Sequence, residues 1–194
     1  MLPICSWGQS YSDGITAHQN GDYETAFDIF QPLAENGDAA AQGILGTMYY
    51  SGQGVPKNIP EGVSYYQLAA ENGDSYGMFN LAFMYRDGDG VPQDFTEAAR
   101  LFGQVAIAGL PRAQYLIGLA YAKGEGVQRD NIKAHMWWTL SQAIAPNDHA
   151  ARGLAAIEQE MTGVEIHTAK QFSIICGNSF VQGGMSRQDA CQVP

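Results

Sequence analysis

Three kinds of residue in this chain could do chemistry: closely spaced acids, histidines and cysteines. The acids concentrate in "YRDGDGVPQDFTEAARLF", Tyr85 to Phe102. There Asp87 and Asp89 flank a glycine, as in loops that surround a calcium ion with oxygen ligands. Such a loop continues with a ligand at position 5, glycine at 6 and glutamate at 12. Counted from Asp87, the chain has Val91, Pro92 and Ala98 at those positions. The acids therefore read as solvated turn residues, and no metal is expected.

His18, His135, His149 and His167 stand far apart, and none begins an H-x-x-x-H or Cys/His spacing of the kind that binds zinc. They read as surface or interhelical residues, with no carboxylate partner implied for His135 or His149. A nucleophile elbow, a phosphate loop or a dinucleotide fingerprint would need a strand before its glycines, and here the glycines fall between helical patterns. No catalytic residue and no cofactor are expected.

Of the three cysteines, Cys5 lies in "MLPICSWGQSYSDG", which reads either as the remnant of a signal peptide or as an ordinary N-terminus. Leu2, Pro3 and Ile4 lack the small residue that lipidation requires directly before Cys5, so none is expected. Cys176 and Cys191 form an even pair near the other end, with 14 residues between them. In an oxidising compartment they would close a loop worth about 3 kcal/mol in the chain-entropy model. This favours a periplasmic or secreted protein. In the cytoplasmic alternative both are free thiols.

Ten basic against twenty acidic residues give a net charge of -10, with no Lys/Arg run. That balance repels nucleic acid and anionic lipid. No apolar run reaches the roughly 20 residues that span a bilayer, so membrane insertion is not expected. With 194 residues, 45% of them hydrophobic, the chain can bury a sizeable core.

The elements that organise these residues repeat. "GQGVPKN" (Gly52 to Asn58), "GDGVPQD" (Gly88 to Asp94) and "GEGVQRD" (Gly124 to Asp130) recur every 36 residues. Leu45, Leu81 and Ile117, then Gly46, Ala82 and Gly118, then Tyr49, Tyr85 and Tyr121 precede the turn at fixed offsets. Gly62, Ala98 and Ala134 follow it, then Tyr66, Phe102 and Trp138. Apolar and small residues sit three and four apart on both sides, so each unit reads as two amphipathic helices joined by a glycine turn. One such pair cannot bury its apolar face alone, so successive pairs must stack.

This pattern, "LGxxY", then "GxGVxxD", then an alanine and an aromatic, resembles the Sel-one-like repeat family, a subclass of tetratricopeptide-like solenoids. The resemblance covers roughly Asp22 to Ala143. It implies an all-α fold, a right-handed α/α solenoid of stacked helix-turn-helix repeats with a C-terminal helical cap. It also implies an adaptor or scaffold presenting a concave surface to a protein or peptide, in a family with many exported bacterial envelope members.

On this grid residues 1–8 are the remnant of a signal peptide and 9–38 a degenerate first repeat. Three repeats fill 39–146, capping helices fill 147–176, and 177–194 form a tail loop, too rich in glycine and polar residues for a long helix. Thr162 and Glu165 are spaced as a capping box. Arg152, Glu158, Glu160, Lys170 and Gln171 are expected to give the cap a polar outer face.

The candidate binding residues lie on the first helix of each unit, pointing away from its partner helix: Thr47 and Tyr50; Tyr76, Phe79, Phe83 and Arg86; and Arg112, Tyr115 and Leu119. Aromatics and arginine are favoured interface anchors. Tyr50, Arg86 and Arg112 are expected to be exposed, whereas Phe79 and Phe83 compete for the core. Tyr66, Phe102 and Trp138, on second helices, are expected to be core.

The leading function is thus a non-catalytic protein-protein interaction adaptor, with homo-oligomerisation left open. Two alternatives stand beside it. One is a peptidoglycan- or β-lactam-acting envelope enzyme, although the chain has no S-x-x-K near a helix start and lacks a cysteine pair in each repeat. The other is a purely structural component of an envelope assembly.

Overall fold

The computed structural model describes residues 10–182 together with Asp189 and Cys191. The leader expected at residues 1–8 lies outside these. The described residues form α-helices and no strand: α1 (Tyr11–Gln19), α2 (Tyr23–Glu35), α3 (Ala39–Ser51), α4 (Ile59–Glu71), α5 (Ser75–Asp87), α6 (Phe95–Ile107), α7 (Pro111–Lys123), α8 (Asn131–Ile144), α9 (Asp148–Ile157) and α10 (Gly163–Gln182). The chain divides into two compact units, Met1–Gln93 and Asp94–Pro194.

Local chemistry sets the helix boundaries. Asp22, Asp38, Asn58, Asp74, Asp94, Asp130 and Asn147 each precede a helix, and their side chains accept hydrogen bonds from its first free backbone N–H groups. The first helices α3, α5 and α7 end on Gly52, Gly88 and Gly124 in the left-handed region, which a side chain resists. Those residues are the first glycines of the three turns.

In the first unit, α1 packs on α2, α2 on α3, α3 on α4 and α4 on α5. Its core gathers Ala26, Phe30, Ala34, Ala41, Leu45 and Met48. Gly46 lets the Tyr66 ring lie directly on α3, which is why a small residue is required there. The second glycine of each turn does a different job. Gly54 sits against the Tyr23 backbone, at the start of the preceding second helix, and Gly90 sits against Ile59 at the equivalent place.

In the second unit α6 packs on α7, α7 on α8, and α8 on both α9 and α10. Gly118 admits the Trp138 indole, whose Nε1 donates to the Tyr115 carbonyl at 3.0 Å. Ala134, Trp138, Ala150, Ile157, Met161 and Ala169 form its core. Thr162 and Glu165 bond reciprocally at the start of α10, as a capping box.

One expectation about the C-terminal region is corrected. Helix α10 runs on to Gln182, six residues into the segment read as a loop from 177. Here helix packing outweighs the low propensity of Gly177, whose missing Cβ faces Leu140 of α8. Of the polar residues expected on the outer face of the cap, Arg152, Glu160, Lys170 and Gln171 are exposed and Glu158 is half-buried. Glu158 pairs with His135 and Lys170, and Glu160 with Arg129, while Val164, Ile174 and Ile175 of α10 are exposed.

Candidate functional site

The first-helix side chains of the first unit form a connected surface on α3 and α5. Thr47 Oγ1 bonds to the Tyr76 hydroxyl at 2.9 Å and to the Tyr66 hydroxyl at 3.0 Å. Gly43 makes room for the Tyr76 ring beside α3. Tyr66 is buried, and that burial pushes its hydroxyl up to about 12, the bond from Thr47 opposing the shift only partly. Tyr76 is 49% exposed, so the hydroxyl chain runs from the core to open surface.

Further along, the rings of Phe79 and Phe83 meet edge to face with centroids 4.9 Å apart, and the Arg86 guanidinium lies 4.4 Å from the Phe83 centroid. Arg86 also grips Asp87 through two hydrogen bonds, of 2.7 and 2.8 Å. The Tyr50 hydroxyl donates to Asp89 Oδ2 at 2.7 Å, and Lys57 lies 5.4 Å from the Tyr50 ring. The bond to Asp89 leads the causes that raise the Tyr50 hydroxyl above its ordinary value, ahead of burial. The opening acids are therefore not merely solvated: Asp87 and Asp89 orient Arg86 and Tyr50.

This corrects the expectation that Tyr50 and Arg86 are exposed, since both are half-buried. Thr47 and Phe83 are half-buried and Phe79 is buried. In the second unit Arg112 is exposed, while Tyr115 and Leu119 are half-buried against the Trp138 core cluster. Tyr115 also lies 6.2 Å from His149, ring to ring. Tyr66, Phe102 and Trp138 are core, as is Trp137. The structure joins Cys176 to Cys191 by a disulfide.

His135 is interhelical, as its sequence reading allowed, but it has a carboxylate partner that the reading did not imply. It is 1% exposed, with Nε2 at 2.8 Å from Glu158 Oε1 and Nδ1 at 3.3 Å from Thr139 Oγ1. Its carboxylate partner lies just beyond α9, 23 residues on, a pairing that no local spacing announces. Among the described residues no three His, Cys, Asp or Glu side chains gather as metal ligands. The arrangement on α3 and α5 supplies rings, hydroxyls and paired charges, which suit recognition by contact.

The Sel1 repeat matches residues 5–38, 39–74, 75–110 and 111–141, which is most of the chain. The chain belongs to the Sel1 repeat family. Sel1 repeats are generally protein–protein interaction modules, and proteins built from them are typically non-catalytic adaptors. Among solved structures, the chain is similar to a Sel1 repeat protein from Oxalobacter formigenes, with a TM-score of 0.71 at 23% identity over 88% of this chain and 71% of that one. It is also similar to c5321, described as a protective antigen present in uropathogenic Escherichia coli strains displaying an SLR fold. There the TM-score is 0.53 at 22% identity, over 93% of this chain and 46% of that one. At these identities the likeness shows the shared all-α Sel1 solenoid fold. No curated protein matches the chain. Among the described residues no helix is long and apolar enough to cross a membrane.

Proposed function

We propose that this Sel1 repeat chain is a non-catalytic adaptor that holds a protein or peptide segment against the first-helix side chains, the face expected to be concave. The observation that carries the reading is the aromatic row of α3 and α5. Tyr76 is half exposed on a hydroxyl chain anchored in the core, and Tyr50 and Phe83 are held by Asp89 and Arg86. Rings held this way lose little freedom on binding, which favours contact with a partner. Arg112 adds an exposed cation in the second unit.

Replacing Tyr50, Arg86 and Arg112 together should abolish capture of a partner from the source cell while leaving the helical circular dichroism intact. Capture that survives the triple change would reject this face, and association through other surfaces would then favour a structural role in an assembly. The enzyme alternative is settled by incubation with a chromogenic β-lactam, for which the adaptor reading expects no turnover.

The Cys176–Cys191 disulfide supports placing the protein in an oxidising compartment, periplasmic or secreted. Alkylation of protein taken from its native compartment tests this: both thiols should be blocked, and two free thiols would overturn the assignment.

A further inference from the structure

A cleft of about 690 Å³ opens in the second unit between α6 and α8, the second helices of successive repeats. Its volume lies within the range typical of ligand sites. Ile117 of α7, 3% exposed, and Trp137 of α8, 4% exposed, close it from behind. One wall includes Gly103, in the middle of α6. A glycine inside a helix is less stable than alanine and is usually explained by a close neighbour. Gly46 and Gly118 have such neighbours in Tyr66 and Trp138, whereas among the described residues nothing lies within 4 Å of where a Cβ on Gly103 would be. The equivalent positions of the sister repeats carry Gln67 and Thr139. Among the described residues none fills the space at Gly103.

The lining also runs against the charge of the chain. In a protein of net charge -10, the described residues of the lining carry two cations, Arg100 and Lys133, and no carboxylate. An adjoining recess of about 490 Å³ shares Tyr121, Val127 and Lys133 with it and adds Arg129 and Asp130. These cations have partners in the chain: Arg100 bonds Glu97 and Gln104, Lys133 faces Asp130 at 3.7 Å, and Arg129 pairs with Glu160. Such pairs at a water-exposed surface are weak and readily exchanged for another carboxylate.

We infer that the cleft between α6 and α8 is a second docking site, taking a short peptide segment in which an acidic side chain meets Arg100 or Lys133 and an apolar one fills the space at Gly103. The largely uncharged lining suits an apolar side chain beside a carboxylate better than it suits a phosphate, which would call for several converging donors. Because the site stands on second helices, it does not depend on the first-helix face.

The test is fluorescence anisotropy with a short labelled peptide alternating glutamate and leucine, alongside its lysine counterpart. The acidic peptide should bind and the basic one should not, with affinity falling as salt rises. Gly103→Leu, which raises helix propensity, should fill the cleft and weaken binding about tenfold or more. The double change Arg100→Glu and Lys133→Glu should transfer the preference to the lysine peptide, and it decides the matter if Gly103→Leu fails to fold. Three results would overturn the proposal: no binding of the acidic peptide, binding indifferent to both variants, or binding that appears only after residues 192–194 are removed. The last would give the cleft to the chain itself.

Discussion

A methyl group placed on Gly126 would overlap the backbone carbonyl of Phe95, the first residue of the preceding second helix in the same unit. Gly54 stands in the same relation to Tyr23. The second glycine of each turn is thus where one repeat seats on the last, and not only where the chain reverses.

This separates two costs that a glycine can carry. Gly126 has φ +73, so alanine there meets both an unfavourable backbone angle and the Phe95 carbonyl. Gly21 has φ +79 with nothing within 4 Å among the described residues, so alanine there meets the angle alone. Gly21→Ala should destabilise by about 1–2 kcal/mol and Gly126→Ala by about 3 kcal/mol or more, read from urea unfolding. Equal losses would remove the seating role from Gly126.

A second comparison concerns a hydrogen bond that one unit makes and the other lacks. Gln42 donates to the Ala34 carbonyl at 3.1 Å and accepts from the Asn72 amide at 2.9 Å. Its counterpart Gln114 donates to the Ala106 carbonyl at 3.3 Å, but its buried Oε1 has no partner among the described residues. The position equivalent to Asn72 holds Ile144, which is 54% exposed and so loses little burial if replaced. Ile144→Asn should raise stability by about 1 kcal/mol, seen as a higher urea midpoint with unchanged slope.

The repeat was legible in the sequence because its requirements are local. The Gly54, Gly90 and Gly126 register and the Leu45, Gly46, Tyr49 spacing each report a helix or a turn within a few residues. What escaped was set by contacts that sequence distance hides. Asp89 reads as a turn acid until the fold brings Tyr50 to it, 39 residues away. His135 finds Glu158 only because α9 returns beside α8. Helix α10 outran its expected end because packing on α8 overrode the weak propensity of Gly177 and its neighbours. The first-helix residues were located by helical spacing, but their exposure was not, since Arg86 turns back onto Phe83 and Asp87.

Tyr66 ties stability to alkaline pH. Its hydroxyl is raised by burial to about 12 in the folded chain, against an ordinary value near 10. Between those values the folded chain holds a proton that the unfolded chain has lost, so stability is full below about pH 10 and falls as pH rises toward 12. The slope from this one group is about 1.4 kcal/mol per pH unit. Tyr11, Tyr49, Tyr65 and Tyr121 are raised as well, again chiefly by burial, so the wild-type fall is shared. Tyr66→Phe should cost about 1 kcal/mol at neutral pH through the lost bond to Thr47, and should flatten the loss of melting temperature between pH 10 and 12. An unchanged alkaline profile would contradict the burial of that hydroxyl.

The disulfide should matter to the C-terminal region of the second unit. Closing the loop between Cys176 and Cys191 is worth about 3 kcal/mol in the chain-entropy model, and Cys191 also forms part of the wall of the α6–α8 cleft. Replacing both cysteines by serine should lower the melting temperature, and a dithiol should do the same to wild type but not to the variant. A wild-type melt indifferent to the dithiol, with both thiols shown to be reduced, would mean that the bond adds nothing.

The adaptor reading meets its most direct test in photo-crosslinking from two positions of the first unit. A photoreactive phenylalanine analogue replaces Tyr76 on the first-helix face, or Ser64, an exposed residue of the second helix α4, in the source cell. The account predicts a discrete adduct with another polypeptide from position 76 and none from position 64. Adducts from 64 with none from 76 would contradict it.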